Sequence, residues 1–288
     1  MYSRKKYLHK EYLREDFAAR WGGKDSFAEV DSLKGTVFRQ VARRTTFRFE
    51  LDGRGYFAKV HHGVGWGEIL KNWVVLKRPV LDASNEYGAA MLLGNANVDT
   101  LAVAAFAVHG WNPAERRSFL ITDELIGVQS LEDYCLNWRA HPPLAVVKWG
   151  LIAKVAEIAR LMHGSGINHC DFYICHLMLR DPERLDAHSV GSVRVHLIDL
   201  HRAQRRDRVP RRWLVKDLGG LYYSAMDIGL TQRDVLRFLA CYFEQPVAEV
   251  LAQHAPLLRD ITLRARKLYA KAERLGILSR QIAADSCR

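Results

Sequence analysis

The sequence predicts an α+β fold built as two lobes. Two observations carry this. Short β-rich runs broken by turns fill the chain up to about residue 125, and apolar residues at helical spacing dominate after about residue 140. A chain of 288 residues suits one two-lobed domain with a substantial core. The expected division is a basic N-terminal extension over 1–20, a sheet-bearing N-lobe over 21–125 and a helical C-lobe over 126–288.

The elements follow in order. Thr45 to Leu51 alternates with period two, Asp52-Gly53 supplies a turn, and Gly55 to Val60 forms a second run, which together read as a hairpin. Asn85 to Leu93 reads as a helix. Leu101 to His109 and Ser118 to Asp123 read as two further strands. Beyond residue 140, Val147, Leu151, Val155, Ile158 and Met162 step by three or four and line one helical face. Gly164 and Gly166 end that helix. Short strands are expected at Leu177–Leu179 and Val193–Ile198. Thr231 to Asp234 resembles a capping box, with Asp in place of Glu or Gln, before a helix to about Phe243. A last helix is expected over Asp260 to Leu275.

Composition narrows the function classes. The hydrophobic fraction of 49% and charged fraction of 26% are those of an ordinary globular protein. The net charge is +11, from 43 Lys and Arg against 32 Asp and Glu, so an anionic partner is expected. No recognition module for nucleic acid accompanies that charge, and nucleic acid is not expected as a partner. The charged start, Met1 to Asp16, is no secretory signal, and the longest apolar run, Leu101 to Val108, is too short to cross a bilayer. A cytoplasmic protein, with or without attachment to a membrane surface, is the expectation. The five cysteines, Cys135, Cys170, Cys175, Cys241 and Cys287, are odd in number and fit a reduced compartment.

Three positions fall in the order that phosphoryl transfer needs. That chemistry asks for a cation on the nucleotide phosphates, a carboxylate at the acceptor hydroxyl and a second carboxylate for Mg2+. Lys59 lies late in the second hairpin strand, and Glu86 opens the next helix, where it can pair with Lys59. Read singly, these are a solvated lysine and a glutamate favoured by the helix dipole. The stronger signal is His169-Cys170-Asp171, with His176 five residues after Asp171, at the position where the kinase catalytic loop carries a metal-binding Asn. Asp199 then ends an apolar strand, where the metal-holding Asp belongs; alone it reads as a turn former.

Other readings of the same loop stand beside this one. Cys170 and Cys175-His176 offer half of a zinc spacing, with no second cysteine pair to complete it. A Cys-His nucleophile is the other, set against the inert packing usual in an apolar, aromatic stretch. Arg202, Arg205, Arg206, Arg208, Arg211 and Arg212 follow Asp199 and suit an anionic acceptor, or else form a solvated basic loop. Gly63 to Glu68 lacks the glycine spacing of a phosphate loop. With Trp66, Ile69, Leu70 and Trp73 it reads instead as a hinge and an amphipathic helix.

Four strings carry a family resemblance: Gly53 to Val60, Gly65 to Glu68, Asn168 to His176 and Ile198 to Ala203. With Lys216 to Leu218 and Leu221 to Ala225, they resemble the lipopolysaccharide core heptose(I) kinases over about Trp21 to Leu275. The resemblance implies a bilobal protein-kinase-like fold and ATP- and Mg2+-dependent phosphorylation of an inner-core heptose, at the cytoplasmic face of the inner membrane. It implies Asp171 as the base, Lys59 and Glu86 as the nucleotide anchor, and His176 and Asp199 as metal ligands. Asp123, Glu124 and Leu125 become the hinge against adenine, and Arg202, Arg205 and Arg206 face the acceptor. Partners implied are the anionic lipopolysaccharide inner core, the membrane surface and acyl carrier protein. Two departures stand out: Cys170 replaces the loop Arg, and the expected nucleotide-covering loop, Val41 to Thr45, has no glycine. A kinase of another core sugar or of a protein hydroxyl, and a non-catalytic kinase fold, are the alternatives.

Overall fold

The computed structural model describes residues 9–41, 43–74 and 81–276. The first eight residues, Ala42 of the expected nucleotide-covering loop and Cys287 lie outside the described residues. The chain divides into two compact units, Met1–Met91 with Leu101–Leu125, and Leu92–Thr100 with Ile126–Arg288.

The first unit is built on strands β1 (His9–Leu13), β2 (Thr36–Val41), β3 (Arg44–Leu51), β4 (Arg54–His62), β5 (Val103–His109) and β6 (Arg117–Asp123). They form one antiparallel sheet in the order β1-β5-β6-β4-β3-β2. Asp52 and Gly53 both take positive φ, 53° and 74°, the conformation a two-residue hairpin turn demands. Within the expected basic extension over 1–20 lie β1 and most of helix α1 (Glu15–Trp21). α1 and α2 (Ser26–Ser32) cover one sheet face: Phe17, Trp21 and Val30 pack with Tyr56, Ala58, Val60 and Phe119. Period-two alternation then turns Lys59 to the opposite face. Helix α3 (Gly65–Val74) follows, with Ile69 buried and Trp66 and Leu70 exposed. α4 (Ser84–Asn95) stacks Tyr87 on Phe106 of β5 at 4.2 Å between ring centroids.

The second unit holds strand β7 (Val128–Ser130), helix α5 (Leu131–Tyr134) and the long helix α6 (Ala145–Gly164). The α6 face expected from its spacing is buried throughout, from Val147 to Met162. Strands β8 (Ile167–Asn168), β9 (Leu177–Arg180), β10 (Val195–Leu197) and β11 (Gln204–Arg205) make two small antiparallel sheets, β10-β9-β7 and β11-β8. Helices α7 (Arg211–Ser224), α8 (Gln232–Phe243), α9 (Val247–Gln253) and α10 (Ala255–Arg274) complete it. The capping box at Thr231 and Asp234 forms, with Asp filling the glutamate role. An antiparallel sheet unit and a helical unit make the α+β class expected.

Candidate active site

In the sheet unit, Lys59 of β4 meets Glu86 in the first turn of α4: Nζ donates to Oε1 at 2.5 Å. The carboxylate is 4% exposed, so a lone charge there would be costly, and the ammonium answers it. The start of α4 is pinned to the sheet. Asp82 accepts from the Ser84 amide at 2.8 Å and from Arg116 at 2.8 Å, and Ser118 Oγ accepts from the Ala83 amide at 3.0 Å. Burial alone would raise the Asp82 carboxyl; these hydrogen bonds outweigh it and hold it below the usual range.

The expected hinge residues are already engaged through side chains and amides. Arg14 forks onto Asp123 at 2.8 and 2.9 Å, and Arg48 donates to Glu124 at 2.7 Å. The amides of Asp123 and Glu124 donate to Ala102 and Gly55 carbonyls. Any adenine contact from these two residues therefore falls to their carbonyls. Leu125 follows at the boundary of the unit.

In the helical unit, Asp171 lies between β8 and a 3-10 turn at Ile174–His176, and is 4% exposed. The loop is held from α7. Asp217, fully buried, accepts from the amides of His169 at 2.7 Å and Cys170 at 2.9 Å. That grip sets Cys170 at φ 75°, a left-handed conformation a cysteine does not adopt at no cost. His169 donates from Nε2 to the Ile198 carbonyl at 2.9 Å, and the Asp171 amide donates to His169 Nδ1 at 3.3 Å. Burial lowers the His169 pKa, in keeping with the neutral ring this pattern requires.

His176 and Asp199 come together. His176 Nδ1 meets the Asp171 carbonyl at 2.7 Å; a carbonyl only accepts, so Nδ1 bears a proton. Nε2 lies 3.5 Å from Asp199 Oδ2. The other Asp199 oxygen accepts from His201 Nδ1 at 2.5 Å, and Asp199 takes φ 63°. Among the described residues no group of three or more His, Cys, Asp or Glu side chains is placed to hold a metal. The Asp199 carboxylate nevertheless suits Mg2+, a hard cation that takes one or two carboxylates and completes its octahedron from phosphates and water; the His176 imidazole is a nitrogen donor beside it. The same finding leaves Cys170, Cys175 and His176 short of a zinc set. The thiol of Cys170 is buried and pushed up to about 11, which does not suit a nucleophile.

The arginine segment behaves unevenly. Arg202 Nη1 donates to both Asp171 oxygens at 3.0 and 2.9 Å. Arg206 donates to Asn168 and Gln204, and Arg205 is exposed in β11. Arg211 pairs with Asp260 at 2.6 Å. Two residues near this site lie in a string of the family resemblance that assigned them no role, Asp217 and Lys216. For Asp217 there was a signal: an acid amid Leu214, Val215, Leu218 and Leu221, where a buried charge needs a partner.

An antiparallel sheet unit bearing a glutamate-anchored lysine and a helical unit bearing a loop aspartate and a strand-end aspartate together define a protein-kinase-like fold. The chain belongs to the lipopolysaccharide kinase (Kdo/WaaP) family, whose profile matches residues 28–242. It is 45% identical to the lipopolysaccharide core heptose(I) kinase WaaP of Pseudomonas aeruginosa over 266 residues, 92% of this chain and 98% of that one. The Escherichia coli enzyme of the same name is 46% identical over 267 residues, 92% of this chain and 99% of that one. A solved structure, WaaP in complex with acyl carrier protein, superposes with a TM-score of 0.78 at 41% identity, covering 90% of this chain and 99% of that one.

Proposed function

We propose that the protein transfers the γ-phosphoryl group of ATP to a hydroxyl of heptose I in the lipopolysaccharide inner core. The observation that carries the reading is the Asp171 loop: a buried carboxylate, fixed by Asp217 through two amides, next to the His176 and Asp199 pair. Its acceptor is supported by relatives named heptose(I) kinases at 45% and 46% identity.

In this reading Lys59, held by Glu86, neutralises nucleotide phosphate oxygens. The Asp123 and Glu124 carbonyls and the Leu125 backbone meet the adenine edge. Asp171 orients the acceptor hydroxyl and takes its proton as the new O–P bond forms and ADP leaves. Asp199 and His176 Nε2 would hold Mg2+, which supplies charge neutralisation on the phosphates when bound. Arg202 orients the Asp171 carboxylate, and Arg205 and Arg206 stand on the acceptor side.

The acceptor is anionic and membrane-borne, and the +11 chain is matched to it. No helix among the described residues is long and apolar enough to cross a membrane. The proposed location is therefore the cytoplasmic face of the inner membrane, held by peripheral contact. Acyl carrier protein is the proposed protein partner, because it accompanies WaaP in the solved complex.

The test is direct. Purified protein with Mg-ATP and phosphate-free, heptose-containing core should transfer the γ-phosphate, and Asp171→Ala should abolish transfer. Robust transfer by the Ala variant would remove Asp171 from the role of base. Transfer to other hydroxyls but not to the heptose would reject the acceptor.

A further inference from the structure

Cross-strand partners in an antiparallel sheet share a face. Arg39 of β2 pairs with Thr46 of β3, and Thr46 pairs with Lys59 of β4. Arg39 and Lys59 therefore stand in one row, on the face opposite α1 and α2. Neighbouring strands lie about 4.8 Å apart, so the two backbones are roughly 10 Å apart, within reach of two long side chains that converge on one ligand. Between Val37 and Arg39 the register shifts by a bulge. Strict alternation would send Phe38 to the face opposite Arg39; the extra residue lets the two share one. Phe38 accordingly meets Phe57 edge-to-face, at 5.2 Å between ring centroids, and Phe57 lies two residues before Lys59 on the same face. Phe57 in turn pairs with Thr122, next to the expected hinge residues Asp123 and Glu124. The face thus runs in order from hinge to aromatic pair to cation row.

Phe38 is 63% exposed on the edge strand of the sheet, a place where charged residues are the usual choice. Arg39 forms no ion pair among the described residues, whereas Arg48 answers Glu50 and Glu124. The turn after β2, Val41 to Thr45, holds no glycine. Glycines let backbone amides approach phosphates closely, and a turn bearing Arg43 and Arg44 loses that approach. We infer that the β2–β3 hairpin covers the nucleotide with side chains in place of a glycine loop: Phe38 and Phe57 take the adenine ring, and Arg39 joins Lys59 on the phosphates. The inference rests on the nucleotide side of the proposed function and adds Phe38, Arg39 and Phe57 to its binding residues. A purine covers the Phe38 ring that otherwise stays in water, and stacking on an aromatic side chain holds it. The Arg39 fork makes charge-assisted bonds to phosphate oxygens, which a solvated ammonium matches less well.

The test is calorimetric titration of the full chain with adenosine and with Mg-ATP, which needs no acceptor. Phe38→Ser should weaken both ligands by the same factor, at least about fivefold. Arg39→Gln should weaken ATP at least about tenfold and leave adenosine unchanged, and Arg39→Lys should restore part of the loss. Both positions lie at the sheet edge, so melting temperatures should stay close to that of the wild type. Unchanged ATP affinity in either variant overturns the inference, as does a loss in Arg39→Gln that adenosine shares. Self-association of the wild type, lost in Phe38→Ser while ATP affinity holds, also overturns it, because β2 would then be an edge that pairs with a second copy. Nucleotide binding with these dependences but no transfer to heptose would keep the cover and reject the proposed reaction. Transfer to heptose by both variants at wild-type ATP affinity would do the reverse.

Discussion

At the scale of single residues, the Asp171 loop depends on one buried carboxylate outside it. Asp217 receives two amide hydrogen bonds and is fully buried, so its replacement removes the bonds and leaves two donors unmet. Charge-assisted bonds of this kind contribute about 1.5–3 kcal/mol each. Asp217→Ala should lower the melting temperature and cut kcat by at least about 10²-fold through misplacement of Asp171. Melting and steady-state kinetics read the two effects separately; unchanged kcat in a folded variant would end the positioning role. A second prediction concerns Lys59. Lys59→Met leaves the buried Glu86 uncompensated and removes the charge proposed to face the nucleotide phosphates, so ATP affinity should fall at least about tenfold while acceptor binding holds. Nucleotide and oligosaccharide titrations compare the two. Asp171, His176 and Asp199 were legible because their spacing is local to one loop and one strand end. Asp217 was not, because its partners are backbone amides 47 and 48 residues away, which no side-chain motif records.

At the scale of elements, the hairpin was legible because its turn residues state its geometry, and α6 because its apolar spacing is unbroken. β1 was hidden. It is a charged, mostly exposed strand whose partner β5 lies some ninety residues on. α7 was hidden by two arginines at its start, where the helix dipole favours acids, and by Gly219-Gly220 in its middle, which lower helix propensity. Packing explains both glycines: a Cβ on Gly220 would lie 3.1 Å from the Phe172 carbonyl, and one on Gly219 2.9 Å from Arg264. Close approach of α7 to the loop thus outweighs propensity. The start of α4 yields a pH prediction. Asp82, whose folded pKa is held below the ordinary 3.8, stabilises the fold above that value, and the contribution is lost as pH falls through the lowered one. Wild-type stability should therefore drop more steeply below about pH 4 than that of Asp82→Asn, which should itself be destabilised at neutral pH by up to about 3–5 kcal/mol. Urea melts at pH 7 and pH 3.5 measure this; parallel acid limbs would exclude Asp82 as a contributor.

At the scale of the whole molecule, the proposed membrane-borne acceptor raises the question of how a chain with no bilayer-crossing helix among its described residues would reach it. Two physical routes differ in their response to salt. A net charge of +11 attracts the chain to anionic lipid, each cation near the surface contributing about 1 kcal/mol, and this attraction decays over a Debye length of about 8 Å at physiological ionic strength. Apolar insertion, for which the exposed Trp66 and Leu70 of α3 are candidates, is not weakened by salt. The six basic residues of 202–212 and the cations of α10, Arg264, Lys267 and Lys271 among them, outnumber the exposed apolar side chains of α3 among the described residues, Trp66 and Leu70, so the electrostatic route should dominate. The full-length protein should sediment with vesicles containing phosphatidylglycerol at low salt, should not sediment with vesicles of neutral lipid alone, and should be released as salt approaches about 1 M, where the Debye length shrinks to about 3 Å. Trp66→Ser should leave that salt profile almost unchanged. Retention at high salt, lost in Trp66→Ser, would instead make α3 the anchor and reduce the charge to a steering role, because only buried apolar surface holds a protein to lipid once the surface potential is screened.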